Sequence, residues 1–338
     1  MLRVLTDKRS KLDINNYKIY DLIGSTEYSN VYKSVDETNS NNYVFKFTAL
    51  IDNDTKDSII ALDIMRIYNL PTLLKNYGYF YFPKYSNIPH FLREGFMGFK
   101  KASNFYVILN EYMPNGNLFD YLHLNKKTNK EINHVIRYKI IFGISSTMKN
   151  LHSIHLFHRD LKTKHVFLNE NFEPIISLCH TSKFLLSENE LQTPMIGTPM
   201  FIAPEVIQGG KYGLKADVYS FAIIVLNLFT YNIEFLDDSK LSAFNFYKKV
   251  AAGERYKRPH SIPDVYWNLI EMCWKQDEKQ RPSFDEITEI LKGKEFIFGQ
   301  NYEQDEIDEI RNYQKKFEND SVCIEFSSNM NKMILDHK

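Results

Sequence analysis

Cysteine is scarce in this sequence: Cys179, Cys273 and Cys323 are the only three in 338 residues, and they stand far apart. An odd number with no paired spacing excludes a disulfide framework and offers no zinc-ligand pattern. Reduced thiols of this kind suit a cytoplasmic chain. An excess of either charge is missing as well, because 42 Lys and Arg balance 42 Asp and Glu. No net field draws the chain toward nucleic acid or an anionic membrane. The longest apolar run, FAIIVLNLFTY, is too short to span a bilayer and is interrupted by Asn227. The opening MLRVLTDKRSK has no apolar core of signal-peptide length. Internal repeats and low-complexity tracts are absent too. These absences lead us to expect a soluble chain. With 43% hydrophobic and 25% charged residues it has an ordinary globular composition and length enough for about two domains.

What is present changes character along the chain. From Tyr17 to Phe47 apolar and polar residues alternate around two turn-rich breaks, GSTEYSN and DETNSNN, which predicts three short antiparallel strands. In the third, Val44 and Lys46 share one face while Tyr43, Phe45 and Phe47 share the other. Residues 56–69 read as helix, PTLLKNYGY and FYVILNEY as two further strands, and residues 80–104 as a long irregular insertion. Beyond residue 117 the period becomes helical. Tyr138, Ile141, Ser145, Met148 and Leu151 form one stripe of a long helix. Further helices are predicted at 215–231, 263–274 and 283–292, the last opened by a capping box of Ser283 and Glu286. One more is predicted near 302–317. Strands first and helices afterwards make an α+β arrangement.

Six motifs follow one another in order: IGSTEYSNVYK, YVFK, HRDLK, GTPMFIAPEV, ADVYSFA and CWKQDEKQRPSF. Any one alone is weak. Together, at these spacings, they resemble a protein kinase domain over residues 17–292. The CW…RPSF ending and the MPNGNL stretch look most like the tyrosine-kinase-like group, while Lys162, two residues after Asp160, is the Ser/Thr-type choice. The resemblance implies a bilobal fold. Residues 17–112 would form a small lobe with a five-stranded antiparallel sheet, and residues 113–292 a larger helical lobe. A lead, 1–16, would precede them and a tail, 293–338, would follow.

The resemblance also implies roles, each to be set beside a plainer one. Lys46 would hold the α- and β-phosphates of ATP; otherwise it is a solvated lysine on a strand face. Gly24 would open the phosphate loop, and Val31 and Val44 would lie against the nucleotide. Asn110 would take the gatekeeper position, leaving room for a ligand. The Glu111 carbonyl and Met113 amide would hold the base. Asp160 would be the catalytic base, with His158 and Arg159 shaping its loop; it could equally be a carboxylate that ties the loop together, and the two readings are compatible. Lys162 would touch the transferred phosphoryl group or be a surface lysine. Glu205 would pair with Arg281, and Asp217 would anchor the loop backbone from its helix.

Departures from the pattern cluster where phosphate and metal would bind. Only Gly24 remains of three loop glycines, Thr26 and Ser29 holding the other two positions. The lysine's glutamate partner falls on Ala61 or, if the apolar stripe is aligned instead, on Asp63. His165 stands where the family has a magnesium-binding asparagine. Leu178-Cys179-His180 stands where it has Asp-Phe-Gly. Magnesium takes oxygen ligands, which leucine lacks and histidine does not supply. Rescuing an acid from Glu170, Glu173 or Glu188 would need a register shift of five or more residues through a stretch whose apolar pattern already fits. A soft-metal site of His165, Cys179 and His180 lacks paired ligand spacing, and Cys179 more simply fills the slot of the usual phenylalanine.

Two readings stay open. The first is a pseudokinase, a scaffold or allosteric regulator in intracellular signalling with weak, metal-independent ATP binding and no magnesium requirement. Its partners would be other signalling proteins, an active kinase among them, with no nucleic acid or membrane. The second is a slow Ser/Thr kinase using Lys46, Asp160 and Lys162. In the segment 181–202, Ser182, Ser187, Thr193 and Thr198 are hydroxyls open to phosphorylation. Ser187 and Thr193 are preferred, with Arg159 as the cation that would pair with the phosphate.

Overall fold

The alternating stretch at the start forms, in this computed structural model, the strands β1 (Tyr17–Ser25), β2 (Ser29–Asp36) and β3 (Asn42–Leu50). The structure describes residues 14–26, 29–50, 62–66, 70–99, 104–178, 182–184, 199–209, 212–231, 243–297 and 302–318. Strands β4 (Asn76–Phe82) and β5 (Asn104–Glu111) complete a five-stranded antiparallel sheet in the order β1-β2-β3-β5-β4. The chain divides into two compact units. The first runs to Tyr112 without Leu70–Leu73, and the second runs from Met113 onward and includes those four residues.

Residues directly opposed on antiparallel strands share a face, so the register sorts the sheet into two sides. Phe45 opposes Leu109, and Phe47 opposes Val107. All four are buried in one cluster with Phe80, Phe82 and Phe105. The expected irregular insertion needs correction here. Strand β4 continues to Phe82, and three single turns of 3₁₀ helix follow at Tyr85–Asn87, His90–Leu92 and Glu94–Phe96. They lay Ile88, Leu92 and Phe96 on that aromatic face, each at most 1% exposed. Those three side chains therefore belong to the core, each contributing roughly 1.5–3 kcal/mol by burial. Gly95 is fixed by the same packing, since a Cβ there would overlap the Phe47 ring. Asn30, buried on β2, donates from Nδ2 to the carbonyls of Gly95 (3.1 Å) and Met97 (3.4 Å). Of the helix expected over 56–69, residues 62–66 are helical; its flanks lie outside the described residues.

The second unit is helical. Its helices are α1 (Leu118–Thr128), α2 (His134–Ser153), α3 (Pro204–Ile207), α4 (Lys215–Thr230), α5 (Ala243–Ala251), α6 (Asp264–Cys273), α7 (Phe284–Leu291), α8 (Lys294–Ile297) and α9 (Gln304–Lys315). Asn133 caps α2 by accepting from Val135 N and Ile136 N, and α7 carries the expected capping box. Two short ladders join Leu156–Phe157 to Lys183–Phe184 and Val166–Leu168 to Pro174–Ile176. The second of these brackets the turn leading to Leu178.

Helix α9 lies within the stretch assigned to the tail, yet it is packed into this unit. Ile307, Ile310 and Tyr313 are buried, and the Tyr313 ring meets Phe142 of α2 edge to face. Gly143 makes room for it: a Cβ there would meet the Tyr313 hydroxyl and lie 2.6 Å from Pro174 Cγ. Ion pairs of Lys139 with Glu309 and of Lys316 with Glu173 hold its middle and its carboxyl end. Among the described residues no helix is long and apolar enough to cross a membrane.

Candidate functional site

In the second unit the chemistry gathers on the HRDLK loop, which Asp217 shapes from the first turn of α4. The Asp217 carboxylate is buried and accepts the amides of His158 (2.9 Å) and Arg159 (3.0 Å), with His152 Nε2 at 2.9 Å as a third partner. Those amides hold Arg159 in a left-handed backbone conformation, φ +67°, which a non-glycine residue adopts only when its surroundings impose it. His152 is a residue that the motifs do not mark. Its only sequence signal is a basic side chain in the last turn of α2, where it completes the anchor.

The bend presents Asp160. Lys162 Nζ lies 2.7 Å from Asp160 Oδ2, so the two expected reactive residues form an ion pair. His165 turns back onto the same residue, with Nδ1 2.8 Å from the Asp160 main-chain carbonyl. A carbonyl can only accept, so Nδ1 carries a proton there. By the same logic His158 donates from Nε2 to the Ser177 carbonyl (3.2 Å) and accepts the Asp160 amide at Nδ1 (3.4 Å). The two imidazoles stack with centroids 6.0 Å apart. Leu178 follows Ser177 and is 3% exposed, an apolar side chain folded into the core. Cys179 and His180 lie outside the described residues, and among those described no group of three His, Cys, Asp or Glu could hold a metal ion. Ser187, Thr193 and Thr198 also lie outside them. Ser182 is buried and donates to the His158 carbonyl (3.4 Å), so that hydroxyl serves the loop's structure. Arg159 Nε is buried with no hydrogen-bond partner among the described residues.

Behind this loop the expected structural pair is present. Arg281 donates from Nη1 and Nη2 to the two oxygens of Glu205 at 2.8 and 2.7 Å, a bidentate contact.

In the first unit the sheet register gathers most of the expected nucleotide residues. Gly24 opposes Val31, Val31 opposes Lys46, and Val44 opposes Asn110. Gly24, Val31, Val44, Lys46 and Asn110 therefore share the face opposite the aromatic cluster. At Gly24 an added Cβ would make only ordinary contact with Val31, so the strand itself does not require glycine. Asn110 is buried, and its Oδ1 accepts from Asn76 Nδ2 (3.0 Å), which ties the residue sideways into the sheet. At the strand end Glu111 bonds Lys75 twice. Its amide donates to the Lys75 carbonyl (3.1 Å) and its carboxylate accepts the Lys75 amide (2.6 Å). The Met113 carbonyl accepts from Gly116 N (3.1 Å) in the turn that follows.

The two residues at glycine positions spend their polar groups on each other. Thr26 N donates to the Ser29 carbonyl (2.7 Å), Ser29 N to Thr26 Oγ1 (3.0 Å), and the two hydroxyls lie 2.8 Å apart. Amides that could have faced a phosphate close the turn instead. Asp63, the one acid near the expected glutamate position, is buried and forms a 3.0 Å ion pair with Arg66.

Comparisons with known proteins bear on this arrangement. A family model described as protein kinase domain matches residues 17–294. Among curated proteins of Dictyostelium discoideum, an RGS domain-containing serine/threonine-protein kinase A is 33% identical over 187 residues, and the dual specificity protein kinase pyk3 is 36% identical over 189. A probable LIM domain-containing serine/threonine-protein kinase is 32% identical over 208 residues. These segments take in 55%, 55% and 61% of this chain but only 16%, 13% and 31% of those proteins. The chain thus spans less than a third of the length of each of these relatives.

Proposed function

This chain belongs to the protein kinase domain family, and on that premise we propose that it is a pseudokinase, a cytoplasmic scaffold or allosteric regulator that keeps the kinase shape without its metal chemistry. The observation that carries the reading is the pair of residues at the expected magnesium positions. Leu178 is apolar and buried, and His165 has its Nδ1 committed to the Asp160 carbonyl. Magnesium requires oxygen donors in octahedral geometry, so this donor set does not fit the ion.

The remaining parts support a retained shape. Asp217 holds the loop, Glu205 and Arg281 hold the segment that follows it, and Asp160 is neutralised by Lys162 rather than left as a bare carboxylate. Partners under this reading are other signalling proteins, an active kinase among them. ATP would be held weakly, with Lys46 as the cation for its phosphates, Val31 and Val44 against the nucleotide, and the Glu111 carbonyl and Met113 amide for the base. Gly24 leaves the strand open to its approach, whereas the Thr26–Ser29 turn weakens the phosphate end. A second reading, a slow Ser/Thr kinase, is favoured by the intact Asp160–Lys162 pair and by the relatives' names.

Phosphoryl transfer separates the two. Purified protein, radiolabelled ATP and a generic basic protein substrate, with magnesium or manganese, should give no incorporation above background. Asp160→Asn should change nothing. Robust turnover abolished by Asp160→Asn would establish the kinase reading instead.

A further inference from the structure

Among the described residues Arg137 is a charge without a counter-charge. It sits in the second turn of α2, 5% exposed, with its guanidinium 4.5 Å from the centre of the Phe229 ring. Nε donates to the Leu228 carbonyl (3.3 Å), and among the described residues no carboxylate forms an ion pair with it and no acceptor meets its two terminal nitrogens. Arginine remains protonated throughout the range in which proteins fold. Enclosing it without an anion is unfavourable. The plain explanation is that the carboxyl end of α4, where Leu228 lies, supplies the missing negative charge. A helix end offers only about half a charge, however, and it engages Nε alone.

The guanidinium opens onto a cavity of about 450 Å³. Lys126, Lys130 and His134 also line it, as does one carboxylate among the described residues, Glu131, and all four are exposed. Three or four cationic groups thus face one anion. A carboxylate ligand would leave the cavity positive, whereas a phosphate monoester, near −2 at neutral pH, balances it and matches the guanidinium fork bidentately. The volume falls in the range of about 300–1,000 Å³ typical of organic-ligand sites. Phe229 and Tyr231 give the wall an aromatic side, and Tyr231 is fixed there because its hydroxyl accepts from Ile132 N (2.8 Å). From this we infer that the second unit holds a binding site for a small phosphate monoester with a planar organic body, centred on Arg137. The site goes beyond the proposed function and shares no residue with it.

The test uses the full chain and phenyl phosphate as probe, titrated calorimetrically at constant ionic strength, with inorganic phosphate and phenol as its separate halves. Phenyl phosphate should bind, inorganic phosphate should compete more weakly, and phenol should not bind. Replacing the exposed pair, Lys126→Gln with Lys130→Gln, should weaken binding about tenfold, as loss of charge-assisted contacts does. Arg137→Gln should abolish binding. Without ligand, Arg137→Gln should still unfold in one cooperative transition, losing only the Nε bond to the Leu228 carbonyl and the contact with the Phe229 ring. Lys46→Ala should leave phenyl phosphate binding unchanged, so failure of the nucleotide reading would not touch this one. The inference is overturned if phenyl phosphate gives no heat beyond an equal ionic strength of chloride, or if binding survives both Arg137→Gln and the lysine pair.

Discussion

The guanidinium of Arg281 is fully enclosed and donates four hydrogen bonds: two to Glu205, one to the Lys275 carbonyl and one to the Lys215 carbonyl. The Tyr219 ring lies 5.3 Å beneath it. Removing such a partner strands the other charge and two carbonyls, at a cost of roughly 3–5 kcal/mol. Arg281→Ala should therefore unfold at clearly lower urea concentration than wild type. Lys46→Ala, on a half-buried strand position, should stay within about 0.5 kcal/mol. Equal midpoints for wild type and Arg281→Ala would show that the pair contributes nothing. Glu278 borders the same cluster, one carboxylate oxygen buried without a partner among the described residues. Burial first, and the nearby Glu205 charge second, hold its carboxyl above the ordinary range despite Arg281. With its pKa raised, the folded state binds this proton more tightly than the unfolded state does. The resulting stability is present below the ordinary value of 4.5 and is lost as pH rises through the folded value. At neutral pH the ionised group is a burden, so Glu278→Gln should melt above wild type at pH 7, with the gap closing toward pH 4.5. A gap that widened on acidification would reverse the sign and refute the account.

At the scale of elements, α9 is the test of what belongs to the folded body. Ile310 is fully buried on its inner face, so Ile310→Ala should cost roughly 2–5 kcal/mol, as a buried large-to-small change does. Gly143→Ala, on the opposite wall, should destabilise as well by pushing Tyr313 and Pro174 apart. If α9 were an appended tail, calorimetric melting would not move with Ile310→Ala. The helix itself was legible, because its acidic first turn and its Ile307, Ile310, Tyr313 stripe are local signals. Its docking site was not, because a stripe does not say which element it will meet. The insertion failed for the opposite reason: 3₁₀ turns carry neither the period of a helix nor that of a strand, and only the spacing of Ile88, Leu92 and Phe96 hinted at a buried face. The shared face of Val44 and Lys46 could be read because a strand alternates with period two. Asp160 beside Lys162 could be read because the contact is local. Asn30 reaching to Gly95, Asn76 to Asn110 and His152 to Asp217 span from 34 to 65 residues, and no local pattern announces them.

For the whole molecule the question is how much nucleotide recognition the proposed pseudokinase reading leaves. Base recognition needs main-chain bonds and an apolar face. Under the proposed reading Glu111, Val31 and Val44 would serve it. Phosphate recognition would be the weaker part under that reading. The Thr26 and Ser29 amides close their own turn, Asp63 is paired with Arg66, and Leu178 and His165 offer magnesium nothing it binds. Lys46 stays on the face it shares with Val31 and Val44 as the cation proposed for phosphate. Binding of ATP should accordingly be weak and carried by the base, with one charge added by Lys46. A ligand that binds only the folded state stabilises it by RT ln(1 + [L]/Kd), about 1.4 kcal/mol at ten times Kd, so even millimolar affinity yields a readable rise in melting temperature. The expected pattern has three parts: ATP raises the melting temperature, magnesium adds nothing to the rise, and Lys46→Ala reduces the response to ATP while leaving that to adenosine intact. A strong magnesium-dependent shift would prove a metal ligand set other than Leu178 and His165 and would return the chain to the active kinases. No shift with any nucleotide would remove ATP from the account and leave the protein's surface as the part that acts.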